Sequence, residues 1–565
     1  MNNTSRGEAL VVFALGVCGV VYLAAARGGG TTDYAGTRAD VAIAGAQCTV
    51  GELCEVVVTA AGSTASAVGA TMPLLRATIT GPTTRVAAAL VASVPTIPAV
   101  HGVQRLEVRV AFVPAESGAH HIALREEYTS ESAALRDFAA ASAAAAPPSF
   151  LGEPLVPGRF DLPVAPRRVR LPSLPECHSV GDATRDGYWQ RRRDDAARAA
   201  AWRCPEFYLP HLLLAAFAGR GVALTKVETL APHSDGVPMW RPREHVRRIA
   251  RAPSVRARWA DAIAAARLSS ARLEATLFDD MRATVARQRN ATHRAGGEWR
   301  WVPRACRAPH PLVPREAARR VRAAGGLVVL GDSVSRFAFN FARCALTRPP
   351  ATASGSGGDG AGFGDAEAEG GAGVMFKGDS TDAARGVPSS TETLRYVRVR
   401  AVGTLADAKA AKTSGAALDA ARTAAQFARP GGATVVANSG LWDVAYGADD
   451  LGSYGKRLKK VLALLRRELG DHRLVWASTS AVHPVHYLGG SGAGDHRKRA
   501  MTGPRVERAN VLGARAAHAV RAPVIDMWQL TQLREDDPLQ PSDMRHFGPS
   551  TVSEMAQLIV RAAAE

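Results

Sequence analysis

Short stretches in which apolar and polar residues alternate follow one another along the first part of the chain. In residues 106–110, for example, Leu and Val alternate with Glu and Arg. A period of two is typical of strands that bury one face, and several such stretches with turns between them predict an Ig-like β-sandwich over residues 39–130. The Ala- and Pro-rich residues 131–170 predict a linker, and we expect the sandwich to act as a spacer.

The pattern changes after residue 171. Strands made almost entirely of apolar residues alternate with amphipathic helices, and these strands lie at residues 326–330, 434–437, 473–476 and 523–526. This alternation predicts an α/β domain over residues 171–565, with a parallel sheet covered by helices on both faces. A tract rich in Gly, Ala and acidic residues, 349–373, predicts a disordered surface insertion.

Residues 9–26 form an uncharged apolar run. A membrane helix needs about 17–25 residues, so the run predicts a signal anchor between a cytosolic tail, residues 1–8, and a stem, residues 27–38. The alternative is a cleaved signal peptide. In either case we expect the rest of the chain to be lumenal, in a single-pass type II Golgi membrane protein or, alternatively, at the cell surface or secreted.

The cysteines and the charge narrow the class of protein. Of the seven cysteines, only Cys18 lies in the apolar run, and an even set in a lumenal chain predicts three disulfides. The cysteine spacing does not match a zinc site, so no metal is expected. The net charge is +18, but the arginines are spread along the chain without a nucleic-acid-binding motif, so no nucleic-acid partner is expected. Asn290 begins a glycosylation sequon.

Two short motifs carry candidate chemistry. Gly331-Asp332-Ser333 follows an apolar strand and precedes a helix, where a serine meets the ligand crevice and the free N–H groups of the helix. The alternative is an ordinary capped turn, since Asp and Ser both cap helices. Asp543 and His546 stand in a loop before the last helix, and such a pair can activate a serine. SGNH-type hydrolases share this order of residues.

The chain also resembles the PC-esterase family, which includes plant trichome-birefringence-like and animal neurexophilin-and-PC-esterase proteins. The resemblance covers about residues 175–560 apart from the insertion. Its blocks are Cys177 with Gly187-Tyr188-Trp189, Trp299-Arg300-Trp301-Val302-Pro303 with Cys306, residues 331–336 with Cys344, residues 438–442, residues 478–480 with His483, Arg534 with Asp536, and Asp543 with His546. Where plant members continue with a Trp-Cys pair, this chain has Phe547-Gly548-Pro549.

The resemblance implies a three-layer αβα, SGNH-like sandwich that carries out acyl chemistry on glycans. It implies that Ser333 is the nucleophile, that His546 is the general base and that Asp543 orients the imidazole. Further candidates, for oxyanion or substrate contacts, are Asn438, Gly440 and Arg336. No cofactor is expected beyond an acyl donor such as acetyl-CoA or an acylated carrier, which a membrane-bound partner could supply.

Three functions compete at this point. The first is a glycan O-acyltransferase, with acetyl as the expected group. The second is a carbohydrate acetylesterase with the same triad and water as acceptor, which differs from the first in how well the site excludes water. The third is a non-catalytic glycan-binding or adhesion protein on an esterase-like core, and the presence of all three triad residues argues against it.

Overall fold

The structure is a computed structural model of the chain. It describes residues 42–44, 48–62, 74–93, 104–128, 150–154, 160–168, 173–192, 202, 204, 209–225, 228–229, 242–294, 298–308, 312–347, 394–398, 432–446, 451–483, 501–537 and 545–565. The predicted tail, anchor, stem and insertion lie outside the described residues, as does Asp543. In the parts of the chain that are described, no helix is long and apolar enough to cross a membrane.

The strands fall into two regions: an N-terminal region of mostly antiparallel strands and a C-terminal region of parallel strands. In chain order they are β1 (Ala42–Ala44), β2 (Cys48–Thr49), β3 (Cys54–Gly62), β4 (Leu74–Thr80), β5 (Thr84–Val86), β6 (Ala88–Ser93), β7 (Gln104–Phe112), β8 (Gly118–Tyr128), β9 (Phe150–Pro154), β10 (Phe160–Ala165), β11 (Gly187–Arg192), β12 (Glu298–Pro303), β13 (Leu327–Gly331), β14 (Leu394–Arg398), β15 (Thr434–Ala437), β16 (Arg473–Ala477) and β17 (Val524–Ile525).

Among the described residues, the helices all follow β10 in the chain. In order they are α1 (Val180–Arg185), α2 (Leu209–Ala218), α3 (Pro242–Arg251), α4 (Pro253–Ala266), α5 (Ser270–Arg294), α6 (Pro314–Ala323), α7 (Ser333–Thr347), α8 (Leu441–Tyr446), α9 (Leu451–Leu469), α10 (Gly503–Ala519), α11 (Met527–Thr531) and α12 (Pro549–Ala564). The sequon residue Asn290 lies within α5.

The N-terminal strands form two sheets around one core. β1, β3, β7 and β6 make a four-stranded sheet, and the second sheet has the order β12-β11-β5-β4-β8-β10-β2 with β9 beside β8. Alternate residues of both sheets, such as Val56, Val108, Ile79 and Ile122, meet in a single apolar cluster. This is the packing of a β-sandwich, and these two sheets are called the sandwich below.

The sandwich takes in more of the chain than residues 39–130. Strands β9 and β10 pair with β8, and β10 buries Leu162 and Val164 in the sandwich core. The prediction of a linker over residues 131–170 is therefore wrong for these two strands. Their prolines, Pro154 and Pro163, are uncommon inside strands and weaken the sequence pattern.

Two strands from the region assigned to the α/β domain also extend the second sheet. β11 pairs with β5, so that Trp189 lies opposite Arg85, and on its other side β11 pairs with β12, so that Trp189 lies opposite Trp301. The Gly-x-Trp and Trp-x-Trp blocks are thus neighbouring strands at one end of this sheet. The boundary between the two regions consequently runs through a continuous sheet.

The C-terminal region contains the predicted parallel sheet, with the order β14-β13-β15-β16-β17. The chain moves from β13 to β14 in one direction and from β15 through β16 to β17 in the other. Because parallel crossovers are right-handed, α7 covers one face while α9 and α10 cover the opposite face. Helices α6 and α12 pack with α7. The prediction of a parallel sheet between two helical layers is confirmed.

Helices α2 to α5 form a separate group, called the helical cluster. Phe217, Val246, Trp259 and Leu277 belong to its own apolar core. The sequence predicted that these residues belong to the α/β domain and did not distinguish them from it. The reason is that the apolar period of a helix does not show which partner its buried face meets.

Three disulfides join described residues, as predicted. They pair Cys48 with Cys54, Cys177 with Cys306, and Cys204 with Cys344. The last of these connects the segment before the helical cluster to α7, the helix that begins at Ser333.

We predict that Gly187→Ala destabilises the fold by about 2 kcal/mol or more, because the added atom overpacks a buried contact. A Cβ at Gly187 would lie 2.5 Å from the ring of Trp301 and 2.6 Å from the carbonyl oxygen of Val302. Gly219→Ala is the matched control, since its Cβ would come no closer than 3.5 Å to the Ala215 carbonyl oxygen. Urea unfolding of both variants tests this, and equal midpoints would contradict it.

Candidate active site

The parallel strands bring their carboxyl ends to one edge of the sheet. There, β13 leads into Asp332 and Ser333, β15 leads into Asn438, β16 into Ser478, and β17 into Asp526. This edge of an open α/β sheet is where ligands bind. The structure therefore places several polar segments, distant in sequence, around one crevice.

The turn from β13 into α7 has no space for a side chain at Gly331. A Cβ there would lie 2.5 Å from Ser335 Oγ and 2.6 Å from Ser335 Cβ. Because Gly331 lacks that atom, α7 can begin directly above the end of the strand. Ser333 is its first residue and is only half-buried.

Asp332 fixes the start of α7. Its Oδ1 accepts hydrogen bonds from the backbone N–H groups of Val334 at 2.9 Å and Ser335 at 3.2 Å. Burial raises the pKa of the Asp332 carboxyl, and those two hydrogen bonds together with the nearby His546 and Arg545 oppose the rise. The capping reading of this residue is thus correct, and it coexists with a serine placed for chemistry one residue later.

Ser333 and His546 are in hydrogen-bond contact, with 2.9 Å between Ser333 Oγ and His546 Nε2. They lie 213 positions apart in the chain. The His546 ring packs against Phe337 of α7, with 4.8 Å between ring centroids, and its residue is 9% exposed. This is the geometry that a serine needs for transfer of its proton to a base.

The third predicted triad residue, Asp543, lies outside the described residues, and its role stays a prediction. If His546 Nε2 accepts the proton of Ser333, the ring proton sits on Nδ1 and calls for an acceptor there. Asp543 is three residues before His546 in the same loop. A carboxylate at that position would select the required tautomer.

Asn438 links three elements at the site. Its Oδ1 accepts from Ser335 Oγ at 3.0 Å, and its Nδ2 donates to the carbonyl oxygen of Ala477 at 2.9 Å. The side chain therefore joins α7 to the ends of β15 and β16. An oxyanion contact from Asn438, as predicted, would have to use the second hydrogen of Nδ2.

Gly440 has a conformational role in the same turn. Its φ is +142°, and a Cβ would lie 2.6 Å from Thr479 Oγ1. Thr479 Oγ1 and the Tyr454 hydroxyl both donate to the Ser439 carbonyl oxygen, at 3.0 and 3.2 Å. The turn is thus held from two sides, and Gly440 is required for its shape whether or not it also contacts substrate.

The predicted substrate residue Arg336 lies in the first turn of α7, where its backbone N–H donates to the Asp332 carbonyl oxygen at 3.0 Å. Sequence analysis did not single out Arg545, the residue before His546. Its guanidinium lies 5.1 Å from the centroid of the Trp442 ring and contacts the Met501 sulfur at 3.6 Å. A cation next to the base was visible in the sequence, but its aromatic partner, 103 residues earlier, was not.

His483 is buried behind the site and does not line the crevice. It is 3% exposed, its Nε2 contacts the Thr531 carbonyl oxygen at 3.1 Å, and its Nδ1 contacts Arg76 of β4 at 3.4 Å. Its ring meets that of Phe547 edge-on at 5.7 Å. His483 is therefore a buried residue of the core and is not placed to contact a substrate.

Arg534 brings several of the sequence blocks together. It is 2% exposed, and its guanidinium lies 4.7 Å from the Trp189 ring centroid and 5.4 Å from that of Trp299. It also pairs with Asp536 at 3.2 Å and Asp537 at 3.3 Å. The Gly-x-Trp, Trp-x-Trp and Arg-x-Asp blocks thus form one buried cation site behind the histidine loop.

A small cavity of about 10 Å³ lies behind the turn, lined in part by Asp332, Asn438, Ser480 and Met527. It has room for about one water molecule and does not hold a sugar. In the described part of the chain, no group of three or more His, Cys, Asp and Glu side chains is arranged to hold a metal ion.

Comparison with known proteins gives only distant similarity. No family model and no curated protein matches the chain. Among solved structures, a peptidoglycan O-acetylesterase is 12% identical, with a TM-score of 0.22. The match covers 30% of this chain and 45% of the esterase, so this chain spans less than half of that protein. A lipase/acylhydrolase from Enterococcus faecalis is also 12% identical, with a TM-score of 0.22 over 42% of this chain and 94% of that one. Similarity at this level does not establish a family.

Proposed function

We propose that this chain is an acyl-transferring enzyme that works through an acyl-Ser333 intermediate, and that it is a glycan O-acyltransferase with acetyl as the transferred group. The observation that carries the proposal is the 2.9 Å contact between Ser333 Oγ and His546 Nε2 at the ligand-binding edge of a parallel sheet. A capped turn alone does not require a histidine from the other end of the domain. The Ser–His contact supports an enzyme over the non-catalytic glycan-binding alternative.

In the first half-reaction, His546 Nε2 takes the proton of Ser333 Oγ as the oxygen attacks the carbonyl carbon of the donor. The tetrahedral intermediate collapses when the bond to the donor's leaving group breaks. His546 gives its proton to that leaving group, which departs neutral. An acyl ester on Ser333 and a neutral imidazole remain.

In the second half-reaction, a sugar hydroxyl gives its proton to His546 and attacks the acyl carbon. The bond to Ser333 Oγ breaks, the serine recovers its proton from His546, and the acylated sugar leaves. With water as the acceptor, the same steps release a free acid, which is the esterase alternative. The residues and their order of action are identical in both cases.

Negative charge develops on the carbonyl oxygen in both half-reactions. The N–H groups of Val334 and Ser335 bind Asp332, so the backbone N–H of Ser333 is the helix donor that we assign to the oxyanion. Asn438 and Gly440 remain proposed contributors. Arg336 and Arg545 are cations at the same end of α7 and would attract an anionic donor or sugar.

The carbohydrate substrate rests on the resemblance of the sequence blocks to the PC-esterase family, and we propose it on that ground. A lumenal location, in the Golgi or at the cell surface, is proposed from the predicted anchor. Three disulfides support it, because they persist in oxidising compartments. The donor would be acetyl-CoA or an acylated carrier.

We predict that Ser333→Ala lowers turnover of an acetyl ester by about 10⁴-fold or more while leaving the unfolding midpoint almost unchanged. The variant removes the only proposed nucleophile, yet it deletes one hydroxyl from a half-buried position. Mass spectrometry should find an acetyl adduct on Ser333 in the wild type. Ser553→Ala, on the outer helix α12, is the control and should keep both activity and adduct. Wild-type turnover in Ser333→Ala would rule out the mechanism.

We predict that Asp543→Asn also lowers the rate by about 10⁴-fold, because an amide can hold His546 in the wrong tautomer. The loss in Ser333→Ala combined with Asp543→Asn should equal that of Ser333→Ala alone, since triad members act as a unit. Steady-state kinetics of the two single variants and the double variant measure this. Additive losses would show that Asp543 does not act through His546.

The transferase and esterase alternatives predict different fates for the adduct. We expect an acceptor glycan to speed the decay of acetyl-Ser333 beyond its decay in buffer, and to gain the mass of one acetyl group. The measurement is a chase of the isolated adduct with a panel of glycans. If every glycan leaves the decay rate unchanged and only free acetate forms, the esterase alternative is correct.

A further inference from the structure

The loop that carries His546 is anchored on an acidic turn, residues 535–537, that directly follows Arg534. The Asp537 carbonyl oxygen accepts from the Gly548 N–H at 2.7 Å. Its carboxylate Oδ2 accepts from the Thr551 N–H at 3.0 Å, the Thr551 hydroxyl at 2.7 Å and the Ser550 hydroxyl at 3.0 Å. One aspartate thus holds the residues just after His546 and the first turn of α12.

The loop and the turn are also in close contact. A Cβ at Gly548 would overlap the Asp537 carboxylate, so only glycine allows this approach. Arg534 donates to Ser550 Oγ at 3.0 Å from the other side. A displacement of the acidic turn therefore moves the backbone two residues from His546.

Two arginines of the sandwich form ion pairs with the acidic turn. Arg85 of β5 pairs with Asp536 at 2.6 Å, and Arg125 of β8 pairs with Glu535 at 2.7 Å. Arg85 also reaches the Leu533 carbonyl oxygen at 3.5 Å. These arginines lie more than 400 positions away from their partners in the chain, so the contacts form only when both regions are folded.

A second contact reaches the residue after His546. Arg76 of β4 meets His483 Nδ1 at 3.4 Å, and the His483 ring packs edge-on against Phe547. Because an arginine only donates, His483 Nδ1 is the acceptor, and its Nε2 carries the proton that goes to Thr531. The two residues after His546, Phe547 and Gly548, are thereby linked to strands of the sandwich through His483 and the acidic turn.

The electrostatics of Glu535 fit this picture. Burial would raise its pKa, but electrostatic interactions with Arg76, His483 and Arg125, together with the hydrogen bond from Arg125, lower that pKa to about 2. The carboxylate is therefore charged throughout the physiological range, and its pairing with Arg125 is permanent under those conditions.

We infer that Arg85 and Arg125 are positioning residues for the reaction of Ser333: by holding the acidic turn, these two side chains of the sandwich set His546 at hydrogen-bond distance from Ser333 Oγ. The inference rests on the proposed function, since it gives the sandwich a part in the proposed acyl transfer. The sandwich is then a working part of the enzyme, in place of the spacer expected from the sequence. Neither arginine touches substrate or the reacting atoms.

The test uses the full-length chain with Arg85→Met, Arg125→Met and the double variant, each of which keeps a long apolar stem and removes the charge. Arg258→Met is the matched control. Arg258 of α4 pairs with Glu228 at 2.7 Å. Burial would raise the pKa of Glu228, but hydrogen bonds from Ser254, Thr225 and Arg258 lower it to about 2. The control therefore breaks an equivalent ion pair away from the histidine loop.

The readout is the rate at which a fluorophosphonate probe labels Ser333, followed from pH 5 to pH 9, together with kcat and KM for an acetyl ester. We expect Arg85→Met and Arg125→Met to slow labelling and lower kcat by about ten- to a hundredfold, as small displacements of catalytic groups do. The pH midpoint of labelling should shift, because it reports the base, and KM should change less than kcat. Arg258→Met should label at the wild-type rate.

Unchanged labelling, kcat and pH midpoint in the folded double variant would overturn the inference while leaving the proposed function intact. Failure of the wild type to label, or equal labelling of Ser333→Ala, would instead overturn the proposed function. If a methionine variant does not fold, Arg85→Lys, Arg125→Lys and Glu535→Gln replace it. The lysine variants should keep part of the wild-type rate, whereas Glu535→Gln should slow labelling by about ten- to a hundredfold; wild-type rates in all three would contradict the inference.

Discussion

The hydrogen bonds that the first amides of α7 donate to Asp332 are the contacts on which the geometry of the site depends. A buried carboxylate is costly unless it is hydrogen-bonded, and here the Val334 and Ser335 amides supply that compensation. Those bonds force the helix to begin at Ser333. Because Gly331 has no Cβ to clash with Ser335, the helix can begin directly after the strand, and the Ser333 hydroxyl contacts His546 across the edge of the sheet.

The order of the strands explains how a residue near the end of the chain reaches that hydroxyl. β13 lies inside the sheet, with β14 on one side and β15, β16 and β17 on the other. Helix α12 returns the chain to the face of the sheet that carries α7. The loop before α12 must therefore pass the carboxyl edge, and His546 lies in that loop.

The parallel sheet and the positions of Ser333 and His546 could be predicted from the sequence, because the patterns that indicate them are local. Apolar strands that alternate with helices gave the parallel sheet, and Gly331-Asp332-Ser333 and His546 were found from their positions next to predicted elements. Pairings between distant segments leave no local period. The sequence therefore did not predict that β11 and β12 join the sandwich, or that the predicted linker contains two further strands of it, β9 and β10.

The role of the Trp-containing blocks was hidden for the same reason. No local pattern showed that Trp189 and Trp299 both pack against the guanidinium of Arg534. The sequence also gave Asn438 an oxyanion role. The structure shows that its amide already joins α7 to two strand ends, an arrangement that no spacing of residues encodes.

The network behind the histidine loop is nearly neutral, although the whole chain carries a net charge of +18. Its four arginines face four carboxylates. The ion pairs are those of Arg76 with Glu127, Arg125 with Glu535, Arg85 with Asp536, and Arg534 with both Asp536 and Asp537.

Such a network adds little stability over apolar packing, yet loss of a partner is costly for the two members that are buried, Arg534 and Glu127. That asymmetry makes it a poor general source of stability and a strong means of fixing relative position. Four cations are contributed by strands of the sandwich and by the segment after α11, and the carboxylates mostly by the turn that holds His546. An interface built in this way resists sliding, because a shift would separate each arginine from its carboxylate. The distance between Ser333 and His546 is therefore set as much by the sandwich as by the parallel sheet that carries the serine.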